Sequence, residues 1–342
     1  MPARSQNRKA PEARSATVHQ VAQRAGVSTA TVSRVFSGAE SVRSGTRDRV
    51  LTAARALGYR PNRAARSLVT GARGAFAMVL PDLARPHYAA LAQAAARKAQ
   101  AGGHMLAIAD GASHPDDERA LCEDLARRTD GLVLCASSLH AEDARALAAT
   151  APLVLTHRRL GSLPAVLTNE RVAVARAAEH LRGLGHRRVA FVSAPEPPDV
   201  ARERRRAVED RNELECVDLC ADRADFREGA ALGLRVREAQ VTAAVVFDDE
   251  LALGLLAGLR DAGIDVPGQI GIAVVGDHPV FRLTHPPLTA LVSPTDEMGS
   301  AAIELLRQAA RGGPEAAALR TVRFEPKLVV RESTGPAARK PA

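Results

Sequence analysis

At 342 residues the chain is long for one hydrophobic core, since domains commonly hold about 100 to 200 residues; two or three domains are expected. Its 46% hydrophobic and 25% charged residues, with 25 Gly and 20 Pro, fit a soluble globular protein and exclude a largely disordered or collagen-like chain. The net charge of +8 is unevenly placed: residues 1–73 carry 14 Lys or Arg against the acids Glu12, Glu40 and Asp48, which leaves 33 bases against 36 acids in the remainder. Such a division is the electrostatic footprint of a nucleic-acid-binding head on a separate globular body, with a basic solubility tail as the plainer alternative. No apolar run is long enough for a membrane span, and the first sixteen residues offer no signal segment, so a cytoplasmic protein is expected. The four cysteines (Cys122, Cys135, Cys216, Cys220) read as buried or incidental thiols, because their spacing suits neither a disulfide framework nor a metal site.

After a basic tail over residues 1–15, Thr17-Val-His-Gln20 has the pattern of a capping box, so a helix is expected to start there. Val18, Val21, Ala22 and Ala25 give it one apolar face, and Gly26 suits its end. Ser28 can cap a second helix, with Val32 and Val35 inward and Thr29, Ala30, Ser33 and Arg34 outward. Two helices about a short glycine turn make a helix-turn-helix, and Ser44 to Leu57 supplies a third helix that closes a small core.

The runs VHQVAQRAGVSTATVSRVF and TRDRVLTAARALGYRPNRAARSL closely resemble the N-terminal headpiece of the LacI/GalR family of bacterial transcription regulators. The resemblance implies that the second helix enters the major groove, with Thr29, Ala30 and Arg34 reading bases and Thr17, Ser28, Thr31 and Ser33 contacting phosphates or the groove. The chemistry agrees: a guanidinium can donate two hydrogen bonds to guanine, and small side chains can touch the thymine methyl. The resemblance also makes residues 61–73 a hinge helix and linker. Asn62 suits a helix start and Arg63 a DNA contact, with Arg43 a further basic candidate, while Leu68 would wedge between central base pairs of a palindromic operator. With only about seven residues after Asn62, a helix there should fold only when docked.

From residue 74 short apolar strands alternate with amphipathic helices: AFAMVLPD, a helix near 88–101, HMLAIAD, a helix near 116–128, GLVLCA, LVLTH and AVLTN. After a helix ending at Gly185, RRVAFVSA, AAVVFDD, a helix at 250–262 and IGIAVVGD repeat the pattern, which indicates parallel sheets built from βαβ units. The expected architecture is therefore a small all-α helix-turn-helix headpiece (16–60) plus an α/β core (74–334). By resemblance the core is periplasmic-binding-protein-like, with two Rossmann-like subdomains: 74–168 plus 293–321, and 169–292 plus 322–334. Supporting stretches are AEHLRGLGHRRVAFV, DDELALG, PPLTAL and the terminal LVVREST; residues 335–342 form a tail. No G-x-G-x-x-G, P-loop, G-x-S-x-G or H-E-x-x-H motif occurs, so neither an enzyme nor a cofactor is expected.

The resemblance implies a homodimeric repressor that binds double-stranded operator DNA and answers to a small sugar or sugar-derived effector in the core cleft. The alternative is a solute-binding protein with a basic solubility tail. Positions matching family ligand contacts are Tyr88, His157, Arg204, Phe226, Asp248 and His278. Departures from the family stand among them: His157 replaces an Asp, Asp248 replaces an Asn, VGDHP stands for VGFDD, and Ala207 replaces a Gly. An anionic effector gripped by Arg204 with His157 and His278 is one reading. Packed histidines in an altered pocket are the other.

Overall fold

Thr17 opens the first helix, α1 (Val18–Ala25), through a complete capping box: its hydroxyl accepts from the Gln20 N–H, and the Gln20 side chain accepts from the Thr17 N–H. Gly26 ends the helix at φ 65°, a left-handed conformation that costs glycine nothing. α2 (Thr29–Phe36) follows at once, with the Ser28 hydroxyl accepting from the Thr31 N–H at 3.1 Å, and α3 (Ser44–Ala56) completes the headpiece. Val21, Ala22 and Ala25 of α1, Val32 and Val35 of α2, and Val50, Ala53 and Ala54 of α3 form its buried core. The computed structural model describes residues 16–36, 42–59, 73–111, 115–195, 207, 214–276, 278–312 and 320–338. The chain divides between Arg73 and Gly74 into two units.

The second unit contains two six-stranded sheets. The first lobe begins with β1 (Ala75–Leu80), α4 (Pro86–Ala101), β2 (Met105–Asp110), α5 (Pro115–Arg128), β3 (Leu132–Cys135), α6 (Ala141–Thr150), β4 (Leu153–Thr156) and β5 (Ala165–Thr168). The second lobe follows with α7 (Glu170–Gly183), β6 (Arg188–Ser193), β7 (Glu215–Cys220), α8 (Phe226–Glu238), β8 (Ala243–Val246), α9 (Asp249–Asp261), β9 (Gly271–Val275) and β10 (Thr289–Val292). The chain then returns to the first lobe through α10 (Thr295–Gly312) and β11 (Thr321–Phe324), and ends in the second with β12 (Lys327–Val329). Strand order is β11-β5-β4-β3-β1-β2 in one sheet and β12-β10-β9-β8-β6-β7 in the other, and every pairing is parallel except β10 with β12.

Central strands such as β3 (LVLC), β4 (LVLT) and β8 (AAVV) are buried along their whole length, as continuous apolar runs covered on both faces by helices must be. The chain passes between lobes after β5, after β10 and after β11. Because β11 pairs with β5 from Thr321 to Phe324, the first lobe extends to Phe324. The boundary expected after residue 321 therefore moves: those residues add a parallel edge strand to the first sheet before the last crossing.

A glycine stripe binds α8 to α9. A Cβ at Gly254 would fall inside the van der Waals radius of the Phe226 carbonyl, one at Gly258 would strike the Ala230 carbonyl, and one at Gly229 would strike the Leu251 carbonyl. The helices thus touch backbone to backbone, which brings their N-termini together at one end of the second sheet. The obstruction is main chain, so neither helix can relieve it by a rotamer change. Gly254→Ala should lower unfolding stability by about 3 kcal/mol, at the upper end of ordinary overpacking costs. Urea unfolding of the variant against wild type measures it, and a change below about 0.5 kcal/mol would contradict this packing.

Candidate effector cleft and nucleic-acid interface

Parallel βα units deliver their loops to the carboxyl ends of the strands, where α/β proteins commonly form ligand crevices. A cavity of about 180 Å³ lies at such ends in both lobes. Its walls include Arg85, His87 and Tyr88 after β1, His157 after β4, Glu170 after β5, Phe247 to Glu250 after β8, Gly276 and His278 after β9, and Ser293 after β10. Four of the expected effector residues, Tyr88, His157, Asp248 and His278, are thereby brought together. Phe226 is not in this wall: Asp225 caps α8, which makes Phe226 its first residue, 49% exposed. Arg204 lies outside the described residues.

Asp248 performs two tasks. One carboxylate oxygen accepts from the Glu250 and Leu251 N–H groups at 2.9 and 3.0 Å, satisfying otherwise unpaired donors at the start of α9. The other accepts from the Arg85 guanidinium at 2.5 Å. The same guanidinium donates to the Ala224 carbonyl at 2.9 Å, immediately before the Asp225 cap of α8. One side chain from the first lobe is therefore forked onto two loops of the second.

Beside it, His87 and His157 face one another with Nε2 atoms 2.7 Å apart, and Tyr88 packs edge-on against both rings. That contact requires one imidazole to donate and the other to accept. His157 sits at φ 65°, a left-handed conformation unusual for a residue with a Cβ and of the kind that gathers at functional sites. Nδ1 of His278 accepts from the Val280 N–H at 3.0 Å, so Nε2 is the ring nitrogen that can donate. Sequence reasoning missed Arg85, His87, Glu170 and Asp249, although each lies in the segment that follows an apolar strand; that position was the available signal.

Headpiece candidates divide between capping and exposure. Thr17 is the exposed cap of α1, and Ser28 and Thr31 hydroxyls lie 2.9 Å apart at the start of α2. Thr29 is half-buried, whereas Ala30, Ser33 and Arg34 are exposed on the side of α2 opposite Val32 and Val35. Asn62, Arg63 and Leu68 fall outside the described residues, while Arg43 immediately precedes α3.

Residues 17–62 match the family described as bacterial regulatory proteins, lacI family, and residues 178–334 match the periplasmic binding protein-like domain. The transcriptional regulator MalR of Streptomyces coelicolor is 32% identical over 93% of this chain and 96% of its own. The chain belongs to the LacI family. GalR of Salmonella typhimurium, at 30% identity over 93% of this chain and 96% of its own, is another member. Among solved structures, a Lac repressor dimer bound to operator and the anti-inducer ONPF shares the fold, with a TM-score of 0.76 at 24% identity, covering 94% of this chain and all of that one. A CelR–cellobiose complex aligns with a TM-score of 0.64 at 27% identity over 93% of this chain and 99% of that one. Nothing in these relationships supports a solute-binding protein with a solubility tail, since the LacI-family match lies within the basic head itself.

Burial holds the His87 imidazole down at about 4. An unfolded histidine titrates near 6.5, so between these values the unfolded chain binds the additional proton and folding stability rises with pH. This contribution is present above pH 6.5 and is lost as the pH falls towards 4. His87→Gln should therefore show a shallower acid loss than wild type over that window, by an amount on the order of 3 kcal/mol. Chemical unfolding at pH 7 and pH 4.5 measures it, and parallel pH profiles would remove His87 as the cause.

Proposed function

We propose that the protein is a dimeric transcriptional repressor in which the exposed face of α2 enters the major groove of a palindromic operator and a neutral, polyhydroxylated effector occupies the core cleft. The observation that carries the DNA-binding half is the division of α2: Val32 and Val35 are locked in the headpiece core, which leaves Ala30, Ser33 and Arg34 facing outward together. Arg34 supplies the bidentate guanine contact, Thr29 and Ala30 add small apolar contacts, and Thr17, Ser28, Thr31 and Ser33 hold phosphates. Asn62, Arg63 and Leu68 serve the hinge, with Leu68 as the minor-groove wedge. The chain acts by binding rather than by catalysis, inside the cytoplasm where its DNA lies.

The cleft lining favours a sugar over an anion. Glu170, Asp248, Asp249 and Glu250 contribute four carboxylates, against which Arg85 is already committed to Asp248. His87 is held uncharged by burial, and His278 spends Nδ1 as an acceptor. The anionic effector expected from Arg204, His157 and His278 would meet these carboxylates, whereas carboxylates and imidazoles suit hydroxyl groups as acceptors and donors; Arg204 itself lies outside the described residues. Cellobiose in the CelR complex is a ligand of that chemical kind.

A sugar that favours one orientation of the lobes would alter operator affinity, and by linkage the operator would alter sugar affinity by the same factor. Selection of the operator from random duplexes, followed by affinity measurement with and without sugars, tests both halves. Arg34→Ala should cost about 1–3 kcal/mol and relax preference at one base pair in each half-site. Unchanged specificity in a repeated selection would take Arg34 out of base reading.

A further inference from the structure

A second cavity, of about 400 Å³, opens at the carboxyl ends of β1 and β3 in the first lobe, and it shares Arg85 and Tyr88 with the effector cavity. We infer that the two cavities are halves of one site for a neutral sugar of at least two rings, and that Arg85 is the partition such a sugar must displace. The inference rests on the effector reading given above. Three observations carry it.

Size is the first. Ligand pockets usually measure about 300 to 1,000 Å³. The cavity bounded by Asp248 and His157 falls below that range at about 180 Å³, and the neighbouring one lies within it at about 400 Å³. A ligand confined to the smaller space would be tightly limited, whereas one that crosses Arg85 has room for a second ring.

Chemistry is the second. The larger cavity is lined by Asp82, Glu118, Ser137 and Ser138, an array of hydroxyls and carboxylates. Glu118 is only 5% exposed, and it is held by the Ser138 N–H at 2.8 Å and the Ser138 hydroxyl at 2.5 Å. A carboxylate fixed in this way beside open space offers a rigid acceptor to a hydroxyl and repels an anion.

Backbone conformation is the third. Three non-glycine residues among those described have positive φ, and two of them stand at strand ends facing these cavities: His157 in the smaller, and Ala136, at φ 44°, in the larger. Left-handed backbone at a residue with a Cβ is costly and persists where the surroundings enforce it. Its presence in both walls marks both as shaped surfaces.

Arg85 gives the arrangement a consequence. Its guanidinium fills the boundary between the cavities while tying the first lobe to Asp248 and to the Ala224 carbonyl. A sugar spanning the boundary would take over Asp248 and release the tie, so only a ligand long enough to cross would both bind well and free the lobes. A single ring could occupy either side without moving Arg85.

The test uses the full-length protein and records thermal shift and titration calorimetry with D-glucose, D-galactose and D-ribose as one-ring probes, and maltose, cellobiose and lactose as two-ring probes. At least one two-ring sugar is expected to bind ten-fold or more tightly than every one-ring sugar. Asp82→Trp, which plugs the larger cavity from its exposed lip, should weaken that sugar at least ten-fold. Ser138→Leu repeats the test from inside, and circular dichroism with the unliganded Tm identifies either variant that fails to fold. A one-ring sugar that binds as tightly as any longer one and ignores both plugs would overturn the two-cavity site while leaving the effector reading intact, provided Asp248→Ala abolishes its binding. No sugar of either length binding would overturn both.

Discussion

The Asp248 carboxylate is the point on which the core's architecture and its chemistry meet. One oxygen closes the start of α9, and the other receives a forked guanidinium that joins the two lobes at the cleft. An asparagine here could perform the capping task but would bring no charge to the pairing with Arg85. The aspartate therefore makes a capping residue into an ionic hold across a cleft, in surroundings where partial burial keeps such a pair from being screened as a surface pair is. The glycine stripe between α8 and α9 reinforces this design: it fixes the two loops that receive Arg85, before α8 and before α9, as a single rigid acceptor.

The histidine pair shows how the same cleft avoids accumulating positive charge. Two imidazoles at 2.7 Å must divide donor and acceptor roles, and burial already disfavours the charged form of His87. The cleft thus combines carboxylates with a buried imidazole, His87, whose charged form is disfavoured. Hydroxyl groups meet both kinds of partner readily, whereas an anion would have to compete with the carboxylates for Arg85.

Much of this was legible in the sequence because it depends on local rules. Thr17 and Gln20 announced a capping box, Val32 and Val35 fixed the inward side of α2, and uninterrupted apolar runs such as LVLC and AAVV marked strands covered on both faces. Tyr88, His157, Asp248 and His278 could be placed through the family resemblance, and one cavity brings the four together. What escaped depends on contacts far apart in the chain. Arg85 has its partners 139 and 163 residues away, and His87 meets His157 across 70 residues, so no periodicity reveals either. Phe226, expected from the same resemblance, starts α8 after the Asp225 cap and is 49% exposed, outside the walls of this cavity. Thr321 to Phe324 escaped because four residues of mixed polarity pair on an edge, where burial leaves little pattern.

The headpiece core carries a thermodynamic implication. Every fully buried side chain within it is a valine or an alanine, with Phe36, Leu51, Leu57 and Tyr59 only partly covered. Small side chains remove little apolar surface from water, so three short helices on such a core fold with a narrow margin. Anything that binds only the folded headpiece adds to that margin by mass action. Operator occupancy and headpiece folding are then linked equilibria, each favouring the other.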